Sequence, residues 1–170
     1  MQPSYHGFDP DITEKYAIGL EKVAQMEDEL RELHAEHYAE TETLYLDAEF
    51  DPDYARYKNS EAAGQFVVFT VRDISNWHRD MVGYLQYYVF RDMHSKGMYT
   101  AREDAFFLTK NHRGGGLAPK LLSYAEHCLK QLGCRYVGMS SKAPVGGPDI
   151  GNFLERNGYR PVALYYSKQL

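Results

Sequence analysis

The chain has 170 residues, of which 44% are hydrophobic and 25% charged, a length that suits one α/β domain with a sizeable core. Its net charge of −5 is unevenly distributed: residues 1–64 contain sixteen acidic and five basic residues, whereas residues 65–170 contain eight acidic and fourteen basic residues. The basic residues of 65–170 are dispersed, which favours a small anionic ligand over nucleic acid. No apolar run approaches the roughly 20 residues of a membrane span, no leader opens the chain, and two cysteines do not indicate a disulfide framework, so a cytoplasmic protein is expected.

The N-terminal part, 1–64, is predicted to be mainly helical. Residues 1–12 are expected to form an irregular arm, and an imperfect apolar stripe then predicts a helix over about 13–42. Residues 45–46 suggest a short strand. A second short helix opens at Asp51-Pro52-Asp53 and ends at Gly64.

The remainder, 65–170, predicts a sheet with one long helix against it. Strands are predicted at 66–71, 82–90 and 98–108, an amphipathic helix at 118–132, and a further strand at 134–139. The first two strands form a hairpin, and 104–139 forms a strand–helix–strand crossover. The fold class is therefore α/β (α+β), with a mixed, mostly antiparallel central sheet flanked by helices.

The most informative motif is Arg113-Gly114-Gly115-Gly116-Leu117-Ala118, between a buried strand and the long helix. Three glycines let the backbone run close to a ligand, because no side chain blocks it. The free N–H groups of the first helical turn and the helix dipole favour an anion there. Pro119 fits the first turn, since it gives up an N–H that has no intrahelical partner. The motif predicts a phosphate or pyrophosphate site.

Three phosphate-binding loops compete for this motif. No Gly-x-x-x-x-Gly-Lys run is present, which argues against a P-loop, and Gly114 to Pro119 lacks the last glycine of a dinucleotide fingerprint. Arg113-x-x-Gly116-x-Ala118 matches the (Gln/Arg)-x-x-Gly-x-(Gly/Ala) pyrophosphate loop of the GNAT N-acetyltransferase superfamily, which binds acetyl-CoA. Phe153 to Tyr159 also resembles that superfamily's closing helix and Gly-aromatic pair, which a last strand is expected to follow. The resemblance covers 65–170 well and 1–64 loosely.

The resemblance implies a general base on the strand before the loop. In several GNAT enzymes a carboxylate nine residues before the loop arginine has this role, and here that residue is Asp104. Its neighbour Glu103 is expected on the opposite face, because side chains alternate along a strand. Asp104 would share a face with Phe106 and Leu108, so its pKa would be raised. The alternative is a structural ion pair between Asp104 and Arg102 or Arg91.

The resemblance also implies cofactor contacts. Backbone amides around Phe107 and Leu108 would polarise the thioester carbonyl, and Asn152 is either a contact to the CoA arm or a helix cap. The usual general acid, a tyrosine, is replaced here by Leu154. Either the thiolate leaves to solvent, or another hydroxyl protonates it, the candidates being Ser140, Ser141, Tyr159 and Tyr165.

Other patterns are weaker. His34 and His37 share a helical face, but without a third ligand at a recognisable spacing no metal site is predicted. In GNAT folds the region between the first two helices lines the acceptor site, so Tyr45, Tyr54 and Tyr57 form either an aromatic wall there or ordinary core packing. Many GNAT proteins dimerise through exposed strands, and the tyrosine-rich hairpin and residues 163–166 are the candidates for such a homodimer contact here.

The leading hypothesis is an acyltransferase that moves an acetyl group from acetyl-CoA to a primary amine of a small molecule or a protein, with general-base help. Residues 1–170 would form one GNAT domain, with 1–64 shaping the acceptor site and 65–170 binding acetyl-CoA. The first alternative is a catalytically weak or inactive GNAT-fold module that acts through protein contact. The second is group transfer to a nucleic-acid-linked acceptor, which the acidic part disfavours.

Overall fold

The structure is a computed structural model that describes residues 8–44 and 48–168. Within them, one sheet contains six strands in chain order. The strands are β1 Asp11–Ile12, β2 Tyr16–Glu21, β3 Phe66–Asp73, β4 Met81–Arg91, β5 Tyr99–Leu108 and β6 Cys134–Gly138. Each pairs antiparallel with the next, except that β5 and β6 run parallel.

Helices cover both faces of this sheet. The α-helices are α1 Val23–Thr41, α2 Tyr54–Ala62, α3 Leu117–Gln131 and α4 Gly151–Arg156, and short 3₁₀ turns lie at Glu42–Leu44, Lys110–His112 and Ala143–Val145. The crossover from β5 to β6 passes through α3, because two parallel neighbours need a long connection. No helix of the described residues is long and apolar enough to cross a membrane.

The sheet separates two buried clusters. The α3-side core joins residues of α3 to Ile18, Phe69 and Leu85, whereas the α1-side core joins residues of α1 and α2 to Phe66 and Phe107. Successive residues of β3 alternate between the two clusters, as the pleat requires. Because both faces of β3 are covered, it is apolar along almost its whole length.

A β-bulge interrupts the pairing of β4 with β5 where the candidate site lies. Gln86 pairs with Ala105 and Tyr87 with Glu103, so that Asp104 is the extra residue. Beyond the bulge, Ala105 faces the α1-side core.

The strands and helices predicted at 66–71, 82–90, 98–108, 118–132 and 134–139 are confirmed within two residues. The helix predicted over 13–42 is wrong in its first part. Residues 16–21 form β2, paired with β3, and α1 begins at Val23. Tyr16 and Leu20 recur at i and i+4, a spacing that fits one helical face and one strand face equally well. The predicted irregular arm contains the short strand β1.

The closing strand predicted after Tyr159 is also wrong. Residues 160–168 have no regular structure. Pro161 has no N–H to give to a sheet ladder, which disfavours a strand at this point. The short strand predicted at Tyr45 and Leu46 lies outside the described residues.

Candidate functional site

The loop before α3 has the backbone of an anion-binding site. Gly114 and Gly116 adopt φ of +86° and +79°, a conformation that glycine tolerates without strain. A Cβ at Gly114, Gly115 or Gly116 would meet no atom within 4 Å, so the loop is open. Gly116 is the N-cap residue of α3, and because glycine has no side chain, no capping side chain occupies the N–H groups of the first turn. No described residue accepts a hydrogen bond from the backbone N–H groups of the loop glycines. These N–H groups are thus available to an anion in front of Leu117 and Ala118.

The Arg113 side chain is bound within the protein. Its Nε donates to the Leu108 carbonyl oxygen at 2.7 Å, and its two terminal nitrogens donate to the Glu40 carboxylate at 2.6 and 2.9 Å. The guanidinium also lies 5.3 Å from the centre of the Phe107 ring. Its charge is therefore matched by Glu40, and Arg113 shapes the loop by tying it to β5 and α1.

Only the first four of the ten residues of β5 pair with β6. The last paired residues are Arg102 and Gly138, and β5 continues to Leu108 without β6 beside it. Beyond this point the Glu103 carboxylate accepts hydrogen bonds from the Ser140 backbone N–H at 3.1 Å and from its hydroxyl at 2.8 Å. We call the region between residues 103–108 and the segment after β6 the β5–β6 opening. Phe107 lies on its β5 side.

Asp104 has the electrostatics of a base. Its side chain is exposed to solvent, yet desolvation by the surrounding protein, helped by the charges of Glu103 and Glu42, raises its pKa to about 6 from an ordinary 3.8. Burial also raises the pKa of Glu103. A carboxyl with a pKa near 6 is mostly ionised at pH 7 and can still accept a proton effectively.

The bulge sets the direction of Asp104 and corrects one expectation. Phe106 and Leu108 pack with the α3-side core. The charge of Asp104 acts instead on Tyr84 and Tyr88, on the α1 side. The prediction that Asp104 shares a face with Phe106 and Leu108 is therefore wrong, because the extra residue of a bulge breaks strict alternation.

The alternative role of Asp104, an ion pair with an arginine, finds no support among the described residues. Arg91 donates instead to the Tyr99 hydroxyl at 3.1 Å, and Arg102 lies 5.9 Å from the centre of the Phe90 ring. Asp104 forms no salt bridge within 8–44 and 48–168.

Two histidines of α1 support the α1 side of the site. His37 Nδ1 lies 2.8 Å from the Tyr84 hydroxyl, and its ring stacks on Phe107 at 5.1 Å between centres. His34 lies between the Tyr54 hydroxyl and the Gln86 amide, at 2.9 and 2.8 Å. Burial lowers the pKa of both histidines to about 4, so both are neutral at pH 7. His34 is buried and His37 is half-buried, and both have protein partners.

A family model described as the acetyltransferase (GNAT) family matches residues 23–159. The chain belongs to the GNAT acetyltransferase family. It is therefore an acyltransferase, and the expected GNAT fold, a mixed sheet with flanking helices, is confirmed. Members of this family use acetyl-CoA as co-substrate. No curated protein matches the chain by sequence.

Solved structures of GNAT enzymes resemble the fold closely at low sequence identity. An aminoglycoside acetyltransferase from an uncultured soil metagenomic sample has a TM-score of 0.70 at 16% identity, covering 91% of this chain and 98% of its own. Glucosamine-6-phosphate N-acetyltransferase from Arabidopsis thaliana gives 0.69 at 13%, covering 92% and 99%. A ribosomal-protein-alanine N-acetyltransferase from Brucella melitensis gives 0.68 at 17%, covering 91% and 99%.

Three of the four hydroxyls considered as proton donors in this GNAT protein, those of Ser140, Ser141 and Tyr159, have other partners, and Tyr165 is 94% exposed. Tyr159 donates to Glu126 of α3 at 2.7 Å, and burial raises its pKa. Ser141 donates to Asp149 at 3.3 Å. Leu154, in the position of the usual tyrosine, is buried.

Two further expectations concern α4 and the aromatic wall. The N-cap of α4 is Ile150, so the alternative of Asn152 as a helix cap is wrong, and Asn152 is exposed. Tyr54 is only 4% exposed and belongs to the core, whereas Tyr57 is partly exposed and Tyr45 lies outside the described residues.

Sequence reasoning missed several groups that surround Asp104. Tyr84 and Tyr88 come from β4, and Glu42 and Lys142 come from segments a hundred residues apart in the chain. Glu42 Oε1 and Lys142 Nζ lie 3.1 Å apart. Only the folded chain brings these groups together, and no local pattern could have identified them.

Proposed function

We propose that this GNAT protein transfers the acetyl group of acetyl-CoA to a primary amine, with Asp104 as general base. The observation that carries the proposal is the position of Asp104: it lies at a bulge of β5, open to solvent, with its pKa raised to about 6. The same strand leads directly into the open glycine loop.

The loop supports a pyrophosphate site for the cofactor. Gly114, Gly115 and Gly116 with the first turn of α3 would hold the pyrophosphate through their N–H groups. The β5–β6 opening would take the arm that carries the thioester. Backbone amides around Phe107 and Leu108 would polarise its carbonyl, and Asn152 would contact the arm from the other side.

The reaction then needs one base and a tolerable leaving group. An ammonium acceptor loses a proton to Asp104, directly or through water, and the free amine attacks the thioester carbonyl carbon. The C–S bond breaks, the thiolate departs with its electron pair, and the nitrogen loses its second proton to solvent. A thiol pKa of about 8.5 permits this without a protein acid. Departure to solvent is the assignment we favour, because Tyr159 is bound to Glu126. The other candidate acids are Ser140, bound to Glu103, Ser141, bound to Asp149, and the exposed Tyr165.

The surroundings of Asp104 favour a cationic acceptor, either a small molecule or a protein amine. Glu42 and Glu103 raise the negative potential around Asp104. The aromatic rings of Tyr57 and Tyr88 lie on the same side and are favourable neighbours for an ammonium group. The same negative potential disfavours an acceptor linked to nucleic acid.

Calorimetric titration tests the cofactor site first. Acetyl-CoA and free CoA should bind the wild type, and Gly116→Glu should abolish binding, since the added side chain and charge occupy the proposed pyrophosphate position. A panel of primary amines then tests transfer. Binding without transfer to any amine would favour the alternative, a GNAT module that acts through protein contact. The replacement of the usual tyrosine by Leu154 also supports that alternative.

A cytoplasmic location and a homodimer remain proposals. The apolar side chains of Val162, Leu164, Tyr165 and Tyr166 are 77–94% exposed, which supports a contact with a second copy. Sedimentation of the wild type and of a chain that ends at Gly158 would test the homodimer.

A further inference from the structure

Lys142 lies in the segment after β6 and contacts the end of α1, on the other side of the proposed site. Its Nζ is 3.1 Å from Oε1 of Glu42, which directly follows α1. Two residues earlier, Ser140 is hydrogen-bonded to Glu103 at 2.8 and 3.1 Å. The chain from Ser140 to Lys142 therefore connects Glu103 on β5, the neighbour of Asp104 in the chain, to Glu42 at the end of α1.

The charges of these groups act on one another. The Lys142 ammonium lowers, and the Glu42 carboxylate raises, the pKa of both Asp104 and Glu103. His37 is affected by the same two charges. The side chains of Lys142 and Glu42 are only 32% and 23% exposed, so this pair is partly enclosed. A primary alkylammonium group thus already lies among the carboxylates expected to receive the acceptor.

We propose that Lys142 is an internal acceptor, acetylated by the chain's own active site when no external amine is bound. The inference rests on the proposed function, because it uses the same cofactor and the same base. It goes further in naming a modification site and the chemical class, a lysine ε-amine, that the site accommodates.

The step balances as an ordinary acyl transfer. The Lys142 ammonium gives one proton to the Asp104 carboxylate, and the nitrogen lone pair forms a bond to the thioester carbonyl carbon. The C–S bond breaks and its electron pair remains on sulfur. The second proton lost from nitrogen passes to the thiolate or to solvent, so the products are acetyl-lysine and CoA.

Acetylation would alter the site as well as the residue. An amide nitrogen carries no positive charge, so the ion pair between Lys142 and Glu42 is lost. The negative potential around Asp104 then increases, because the Lys142 charge no longer offsets the charges of Glu42 and Glu103. Self-acetylation would thereby prepare the site for turnover on other amines.

The test is mass spectrometry of peptides from protein incubated with acetyl-CoA. Lys96 is the reference for uncatalysed acetylation, because it is exposed in the turn between β4 and β5. We expect Lys142 to be acetylated faster than Lys96, at a fractional rate independent of protein concentration. Asp104→Asn should slow acetylation of Lys142 by about 100-fold and leave Lys96 unchanged. Equal rates at the two lysines, or an unchanged rate at Lys142 in Asp104→Asn, would overturn the inference.

Two further variants keep the test decisive. If Asp104→Asn does not fold, Gly116→Glu replaces it, and acetylation of Lys142 should be lost while Lys96 still reacts. Glu42→Gln should lower the rate of transfer to an external cationic amine, opposite to prior acetylation of Lys142, because the substitution removes a negative charge that the acetylation leaves in place. Lys96→Arg is the matched control and should leave that rate unchanged.

The same samples separate this inference from the proposed function. Transfer to an external amine with no modification of Lys142 would overturn the inference alone. Acetyl-CoA binding with no transfer to any amine, internal or external, would overturn both.

Discussion

Arg113 and Glu40 form a two-point ion pair, at 2.6 and 2.9 Å, that joins the glycine loop to helix α1. The Nε of Arg113 meanwhile holds the last carbonyl of β5. One side chain therefore fixes three elements around the proposed cofactor site. A planar guanidinium can make these bonds together, whereas a lysine ammonium cannot match their geometry.

Arg113→Lys should therefore weaken acetyl-CoA binding even though the arginine side chain is occupied within the protein. The pair is partly exposed, so the free energy of unfolding should fall by only about 1 kcal/mol. Calorimetric affinity and urea unfolding measure the two effects. Arg31→Lys, which perturbs the exposed pair of Arg31 with Glu27, is the control and should leave cofactor affinity unchanged. Unchanged affinity in Arg113→Lys would contradict an organising role for the pair.

The raised pKa of Asp104 predicts the pH dependence of turnover. Since Asp104 acts as a base only when ionised, kcat/KM should increase with pH up to the Asp104 pKa of about 6. Above that pH, ionisation of Asp104 should cause no further increase. Asp104→Asn should lower turnover by about 100-fold or more and remove this limb of the profile. Asp28→Asn changes an exposed carboxylate of α1 and should keep the wild-type profile.

The raised pKa of Asp104 also predicts how the free energy of unfolding depends on pH. The folded chain holds the Asp104 proton up to a pH of about 6, whereas an unperturbed carboxyl loses it near 3.8. Ionised Asp104 therefore destabilises the fold, and this effect develops between those two pH values. Asp104→Asn should be more stable than the wild type at pH 8, with the difference disappearing below pH 3.8, as measured by thermal unfolding.

The elements predicted correctly are those with strong local patterns. Helix α3 has an amphipathic repeat and a glycine stop, and β3 is a run of β-branched and aromatic residues. In β2, by contrast, Tyr16 and Leu20 satisfy a helical and a strand spacing equally, and the decision comes from pairing with β3. Local pattern cannot include a partner that is fifty residues away.

Some features of the candidate site could likewise be predicted from the sequence, and others could not. The glycine loop is predicted from a short motif, and Asp104 from the resemblance to the GNAT superfamily, which implies a base nine residues before the loop arginine. The direction of Asp104 could not be predicted, since a bulge is a mismatch between two strands and a single strand does not reveal it. Glu40, the partner of Arg113, and Lys142, the partner of Glu42, lie far along the chain from the groups they contact.

The two histidines of α1, His34 buried and His37 half-buried, predict acid sensitivity. Their pKa values are about 4 in the folded chain and near 6.5 when unperturbed, so the unfolded chain takes up protons first as the pH falls. Stability is therefore fully present above pH 6.5 and is lost progressively down to about 4, by roughly 3 kcal/mol for each histidine as an upper bound. Urea unfolding of wild type and His37→Asn across this range measures the effect. The variant should lose less stability on acidification, whereas His94→Asn, in the exposed turn after β4, should behave as the wild type.

A substitution at Tyr159 distinguishes two fates of the departing thiolate, release to solvent and protonation by the Tyr159 hydroxyl. Its hydroxyl donates to Glu126 on the α3 side of the sheet, and burial raises its pKa, so it is a poor proton donor. Tyr159→Phe should therefore keep kcat within about threefold of the wild type, while removal of a true general acid would cost 100-fold or more. The measurement is kcat with a fixed amine and saturating acetyl-CoA. A large loss in Tyr159→Phe, with cofactor affinity and thermal unfolding unchanged, would show that the hydroxyl leaves Glu126 during turnover and protonates the thiolate.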